Sequence, residues 1–223
     1  MKNKAPIKLI FAAAFCCGIM ALIDGVVRPG YAVKSAIKIA VFALIPLLLA
    51  ATDRKLIFKE VFRFHKKGFA AALGLGAGLY VLILGAYFAV RNLFDFSAIA
   101  GNLTQNAGVT KDNFLFVSLY ISFANSLLEE FFFRGFLFLN LKKLSSRRFA
   151  YGFSACAFAL YHVAMMTGWF TWWLWLLVMA GLIVGGMIFN WLNEKLSCIY
   201  VSWLVHMFAN FAINTIGFML LNA

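Results

Sequence analysis

Apolar positions fall into seven long blocks, separated by short polar stretches. Most blocks reach the length of about 18 residues that a helix needs to cross a bilayer. The predicted spans are residues 7–27, 34–51, 69–90, 113–141, 149–167, 171–191 and 198–221. The pattern therefore predicts an all-α protein, a polytopic transmembrane helix bundle of about seven spans.

The composition supports this class. Of the 223 residues, 64% are hydrophobic and 13% are charged, whereas about 25% of the residues in an ordinary soluble protein are charged. This balance excludes a disordered chain and a secreted disulfide scaffold, and it argues against a soluble enzyme. Any function must lie within the membrane or in short loops.

The net charge of +12 is best explained by the membrane, with no nucleic-acid partner, because the basic residues flank the spans. A cytoplasmic N-terminus leaves five basic residues outside: Arg28, Lys34, Lys38, Arg91 and Lys111. It places the larger basic group inside: Lys2, Lys4, Lys8, Arg54, Lys55, Lys59, Arg63, Lys66, Lys67, Lys142, Lys143, Arg147, Arg148 and Lys195. The prediction is a multi-pass cell-membrane protein whose C-terminus lies outside.

Two adjacent glutamates interrupt the fourth span. Charged residues at the centre of a membrane helix cost about 2.5–3.5 kcal/mol each and mark functional sites by default. Glu130 and Arg134 are spaced i,i+4 and can form an ion pair, whereas Glu129 lies about 100° further round the helix. The prediction is that Glu130 pairs with Arg134 and that Glu129 is free for chemistry. The alternative is a packing ion pair with a spare carboxylate.

Histidines interrupt two further spans. His162 lies in the fifth, and the seventh carries a polar stripe of His206, Asn210 and Asn214 at i, i+4, i+8. A core histidine and interhelical hydrogen bonds are the structural alternatives. Counted from the cytoplasmic ends of their spans, Glu129, His162, His206 and Asn210 lie within about 10 Å of one depth. The agreement favours one shared site.

A carboxylate, two imidazoles and an amide suit the hydrolysis of an amide bond. Glu129 and His162 can take a proton from water, and His206 and Asn210 can donate hydrogen bonds to an oxyanion. The chain has no HExxH motif and no serine or cysteine nucleophile with a matching base. Two histidines and a glutamate are also ligand types for catalytic zinc, so a zinc peptidase remains an alternative.

Three motifs carry a family resemblance. They are Glu129-Glu130-x-x-x-Arg134, extended by Phe133-Arg134-Gly135, then Phe158-x-x-x-His162, and then His206-x-x-x-Asn210. In order and spacing they resemble the motifs of the CPBP family (CAAX protease and bacteriocin-processing, or Abi), which includes the type II CAAX prenyl endopeptidases. The resemblance covers residues 113–221.

The resemblance implies an intramembrane glutamate-dependent endopeptidase that works without a catalytic metal. Its substrate would be a membrane-associated peptide or protein, either prenylated and CAAX-type or a bacteriocin or signal peptide. Carried onto this chain, the implied catalytic residues are Glu129, His162, His206 and Asn210, and the implied positioning or structural residues are Glu130 and Arg134.

The resemblance also divides the chain. Residues 1–112 would be N-terminal transmembrane helices with a basic cytoplasmic loop, and residues 113–223 would be the catalytic four-helix membrane core. A second functional hypothesis is a non-proteolytic membrane protein that confers bacteriocin immunity or aids transport. In that case the glutamates and Arg134 would bind a partner or hold the bundle together.

Overall fold

The computed structural model describes residues 5–53, 55–57, 59–64, 66, 68–96, 98–99, 101–102, 104, 108–196 and 198–222. These residues form seven long helices and no strand, so the all-α prediction is confirmed. The helices are α1 (Ala5–Val27), α2 (Tyr31–Thr52), α3 (Phe69–Val90), α4 (Phe114–Leu144), α5 (Arg147–Met165), α6 (Trp172–Leu196) and α7 (Ile199–Asn222).

Each predicted span overlaps one of these helices. Six of the helices are long and apolar enough to cross a membrane, and α5 is the described helix that is not among them. The paired Arg147 and Arg148 at its start, together with His162, lower the mean hydropathy of α5. Large apolar side chains such as Phe11, Val81 and Leu177 face outward from the bundle, as lipid-facing residues do.

Helix α4 lies at the centre of the bundle and packs against α1, α2, α5, α6 and α7. Its phenylalanines from Phe131 to Phe138 are buried, and Phe132 stacks on Phe42 of α2 with 4.1 Å between ring centroids. The helix widens to π-helical geometry over Glu130–Phe138. Such widened turns occur often at functional sites, and this one begins at the paired glutamates.

At one end of the bundle, charged and polar side chains join α4, α5 and α6. Glu194 accepts from Lys142 at 3.2 Å, from Arg147 at 2.8 Å and from the Tyr151 hydroxyl at 2.6 Å. Glu194 lies in the last turns of α6, which continues beyond residue 191, where the sequence analysis ends the sixth span. Lys143 also donates to the Lys55 carbonyl at this end.

Two lysines assigned to the outer side are paired with carboxylates inside the protein, Lys34 partly buried and Lys38 fully buried. Lys34 forms an ion pair with Asp24 of α1, and Lys38 is 4% exposed inside the bundle. The sequence places them at the outer edge because the apolar run of the second span begins at that point, but the helix begins earlier, at Tyr31. Lys2, Lys4, Arg54 and Lys67, which enter the orientation prediction, lie outside the described residues.

Glycines of the sixth span differ in what surrounds them. Gly181, Gly185 and Gly186 are small residues of the kind that allow close helix packing. A Cβ at Gly186 would meet the backbone Cα of Ala155 at 3.1 Å, whereas a Cβ at Gly181 or Gly185 would meet open space. The close contact between α5 and α6 therefore depends on Gly186.

Replacing Gly186 by leucine should destabilise the bundle. The added side chain cannot fit against the backbone of α5, and overpacking of this kind costs about 1–3 kcal/mol. Thermal unfolding in detergent micelles measures the effect. Gly185→Leu is the matched control, because a side chain added at position 185 would point into open space. Equal melting temperatures for the two variants would contradict the assigned packing.

Candidate active site

The paired glutamates lie at the middle of the central helix. Glu129 is midway between Phe114 and Leu144, the two ends of the 31-residue α4. Glu129 is 3% exposed and Glu130 is fully buried. A buried carboxylate must be paired with a charge or hydrogen-bonded, so its partners determine what it can do.

Helix α7 runs antiparallel to α4 and meets it through a series of polar contacts. Ser202 donates to Glu130 Oε2 at 2.5 Å, and Asn214, three turns further along α7, donates to the Ser118 carbonyl at 3.2 Å. Between them lies His206, which is 6% exposed. Residues later in α7 contact residues earlier in α4, so this series of hydrogen bonds fixes the register of the two helices.

His206 bridges the two glutamates. Its Nδ1 donates to Glu130 Oε1 at 3.0 Å, and its Nε2 lies 3.7 Å from Glu129 Oε2. The ring stacks on Phe189 with 5.3 Å between centroids. Glu130 thus fixes the orientation of the imidazole and directs the other ring nitrogen towards Glu129.

The predicted pair of Glu130 and Arg134 is present. Arg134 Nη1 lies 3.3 Å from Glu130 Oε1, and neither side chain is exposed. The guanidinium lies over the rings of Phe158, at 4.1 Å, and Phe189, at 5.0 Å, within the distance at which a cation is attracted to a ring face. The pair and its aromatic cage join α4, α5 and α6 behind the site.

Glu129 is not free, contrary to the sequence prediction. Lys38 Nζ of α2 lies 2.5 Å from Glu129 Oε1, and the Asn125 amide donates to the same oxygen at 3.0 Å. The prediction that Glu129 is free considers α4 alone, in which no basic residue is spaced to reach this carboxylate. The partner comes from a helix that is distant in the sequence, so it becomes visible only in the folded chain.

His162 of α5 lies near the same carboxylate. It is close enough to Glu129 and His206 to interact electrostatically with both. Its Nδ1 is 2.7 Å from the Phe158 carbonyl, and because a carbonyl can only accept, Nδ1 carries the proton. The neutral ring therefore has an unprotonated Nε2, which can accept a proton from water. His162 is half-buried, unlike Glu129 and Glu130.

Asn210 serves as a helix–helix contact as well as a neighbour of the site. Its amide donates to the Ile121 carbonyl of α4 at 3.2 Å, and Asn214 donates to Ser122 Oγ at 3.0 Å. The structural alternative for the polar stripe thus describes Asn214 well. Asn210 lies one turn from His206, and an amide nitrogen has two N–H donors, so the contact with Ile121 leaves one donor.

The residue types for zinc are present, but their arrangement does not suit a metal. Within the part of the chain that the structure describes, no three His, Cys, Asp or Glu side chains are grouped so that they could hold a metal ion. One oxygen of Glu129 is occupied by the Lys38 ammonium, which a metal cation would have to displace.

Sequence reasoning missed Lys38, Asn125 and Ser202 as part of this polar cluster. The signal for Lys38 was available, because an ionisable residue within a membrane span is a functional candidate by default. Starting the second span at Lys34 placed Lys38 near its edge. Asn125 lies one turn before Glu129, and Ser202 lies one turn before His206, so helical spacing marks both once the two ends of the cluster are known.

Comparison with known proteins supports the resemblance. Residues 111–212 match the family described as type II CAAX prenyl endopeptidase Rce1-like. The matched region contains all three motifs, from Glu129 to Asn210, and ends within α7. It does not include α2, which carries Lys38. No curated protein and no solved structure gives a significant match to the chain.

Proposed function

Residues 111–212 form a domain of the type II CAAX prenyl endopeptidase Rce1-like family, and from this premise we propose that the protein is an intramembrane glutamate-dependent endopeptidase. The family implies intramembrane protease activity. One observation supports the assignment to particular residues: the buried carboxylate of Glu129 lies 3.7 Å from His206 Nε2 and close enough to His162 to interact electrostatically with it, and the two histidines come from two other helices. The substrate is a peptide or protein at the membrane.

Water activation is the first step of the proposed reaction. A water molecule between Glu129 and His162 gives up a proton to this pair as its oxygen attacks the scissile carbonyl carbon. Glu129 Oε2 is the carboxylate oxygen on the side of His206, and His162 Nε2 carries a lone pair. A positioned base of this kind accelerates a reaction by about 10²–10⁴-fold.

Stabilisation of the tetrahedral intermediate is the second step. The attacked carbonyl becomes an oxyanion, and N–H donors fixed in a dry site stabilise such charge strongly. The proposed donors are the remaining N–H of Asn210 and the Nε2–H that His206 has when both of its ring nitrogens carry a proton, since its Nδ1–H is directed at Glu130. The intermediate collapses when the C–N bond breaks and the departing amine takes the proton from the Glu129 and His162 pair.

A groove beside the site suits a substrate held in the membrane. A cavity of about 470 Å³ lies between α2 and α4 and is lined by apolar and aromatic residues. Two of the lining residues are Ile39, which follows Lys38 in the chain, and Leu128, which precedes Glu129. An apolar segment or lipid chain in the groove would lie against α2 and α4, the helices that carry Lys38 and Glu129, which favours a membrane-anchored substrate over a soluble one.

The proposed orientation places the charged end around Glu194 in the cytoplasm. Lys142, Lys143 and Arg147 cluster there, and positive residues favour the cytoplasmic side. Because Lys38 is inside the bundle and Lys34 is paired with Asp24, the outer side has fewer free basic residues than the sequence suggests. The N-terminus would be cytoplasmic and the C-terminus outside.

Cleavage by purified protein in lipid vesicles tests the function. The substrates are one peptide sequence in three forms: isoprenylated near its C-terminus, linked to a transmembrane segment, and free. Mass spectrometry should show two fragments from at least one anchored form. Failure to cleave any form would count against a peptidase and favour the non-proteolytic alternative.

His162→Ala should lower kcat by about 10²-fold, because it removes a proton acceptor beside Glu129. The melting temperature should change little, since the ring is half-buried. Cys156→Ala, a change at an exposed position of the same helix, should keep the wild-type rate. Full activity of the His162 variant would remove this residue from the mechanism.

A further inference from the structure

A lysine from outside the family domain reaches the centre of the site. Lys38 lies two turns into α2, and its side chain is 5% exposed. An unpaired ammonium at this depth is costly, so its surroundings must compensate for the loss of water. These surroundings come largely from α4, the helix that carries Glu129.

The ammonium of Lys38 has two hydrogen-bond acceptors and an aromatic neighbour. It donates to Glu129 Oε1 and to Asn125 Oδ1, both at 2.5 Å. It also lies 4.8 Å from the centroid of the Tyr161 ring on α5, a distance typical of a cation–π contact. The lysine therefore joins α2, α4 and α5 at a single point.

This arrangement gives the two oxygens of Glu129 different surroundings. Oε1 accepts from Lys38 and from Asn125 Nδ2, whereas Oε2 is on the side of His206 Nε2. Asn125 is itself held by Lys38, so the ammonium, the amide and the carboxylate form a closed triangle. A carboxylate fixed through one oxygen cannot rotate freely, and its second oxygen keeps one direction.

We propose that Lys38 is a positioning residue that fixes Glu129 through Oε1, so that Oε2 points at the water and the scissile bond. Helix α2 is then part of the active site, although it lies outside residues 111–212 and in the predicted N-terminal domain. This inference rests on the proposed function. The simpler role, an ion pair that only fastens α2 to the bundle, predicts a loss of stability without a specific loss of kcat.

The neighbouring pair of Lys34 and Asp24 provides a matched control. It is also a lysine–carboxylate ion pair, one turn earlier on α2, and it fastens α2 to α1 without touching Glu129. Replacing both partners together, Asp24→Asn with Lys34→Met, leaves no unpaired charge behind. This control should keep the wild-type kcat.

The experiment measures kcat, KM and melting temperature for Lys38→Met and Lys38→Arg in vesicles, with the anchored peptide that the wild type cleaves. Misplacement of a reacting group can cost about 10²-fold, so Lys38→Met should lose about this factor in kcat. Its KM should stay within about threefold, because ground-state binding is unchanged. Lys38→Arg keeps the cation and should recover much of the rate. A Lys38→Met variant with wild-type kcat would overturn the proposal.

A double-mutant cycle on melting temperature tests the contact without relying on activity. Lys38→Met and Glu129→Gln should each lower the melting temperature by several degrees, since each leaves a buried charge unpaired, and the double variant should recover part of the loss. Additive losses would show that the two side chains do not interact and would overturn the proposal. If Lys38→Met does not fold, the wild type is compared instead with Lys38→Arg and with the uncharged double variant, Lys38→Met with Glu129→Gln.

The failure of this inference is distinguishable from that of the proposed function. An inactive Glu129→Gln together with a fully active Lys38→Met would reject only the role of Lys38. A fully active Glu129→Gln would reject the proposed function, and the melting-temperature cycle would still report on the contact.

Discussion

Glu129→Gln should reduce peptide cleavage by about 10³-fold or more, with little change in KM. The amide keeps the size of the side chain but cannot accept a proton from water, and loss of a general base typically costs about 10²–10⁴-fold. The effect should be near the upper end because Glu129 is the carboxylate that both His206 and His162 lie near. Single-turnover rates in vesicles at equal amounts of folded protein provide the measurement.

A glutamate at the other end of the bundle serves as the control. Glu194→Gln makes the same chemical change within the charged cluster on α6, which lies away from the site. It should cleave at the wild-type rate. If instead the Glu129 variant retained both cleavage and biological function, the carboxylate would have a binding or structural role, as the non-proteolytic alternative requires.

Arg134→Met should produce the largest loss of stability. It leaves the carboxylate of Glu130, which has no exposed surface, without its cation. It also removes the stacking on Phe158 and Phe189. Breaking a buried ion pair by removing one partner costs about 3–5 kcal/mol, and thermal unfolding in detergent micelles should reveal it.

Two further variants separate charge from shape. Arg134→Met combined with Glu130→Gln removes both charges and should recover most of the stability, because a neutral buried pair carries no large desolvation cost. Arg134→Lys keeps the charge but loses the planar group that stacks on the rings, so it should be intermediate. A single Arg134→Met variant as stable as the wild type would contradict the assigned role of the pair.

Local patterns in the sequence were sufficient for much of this architecture. Apolar runs predict the helices because a membrane span must be long and apolar, and the i,i+4 spacing correctly predicts the ion pair of Glu130 and Arg134. The shared depth of Glu129, His162 and His206 follows from the uniform rise of a helix. The structure brings these three side chains together, while their catalytic roles remain proposals.

Contacts between distant helices are what the sequence could not supply. Nothing in the spacing of α4 indicates that Lys38 reaches Glu129, because this contact depends on how α2 packs against α4. The same applies to Asn210, whose contact with Ile121 follows from the register of two antiparallel helices. The predicted boundary at residue 112 also remains a prediction, and the contact between Lys38 and Glu129 crosses it.

The central claim is that Glu129 and His162 activate water for direct attack on a peptide bond within the membrane. Its most direct test is a single turnover of an anchored peptide in water labelled with heavy oxygen, followed by acid quenching and mass spectrometry. The account predicts one labelled oxygen in the new carboxyl group, no fragment attached to the protein, and almost no product with Glu129→Gln in the time that the wild type needs for one turnover. A peptide fragment covalently bound to the protein, or labelled product formed by Glu129→Gln at the wild-type rate, would contradict it.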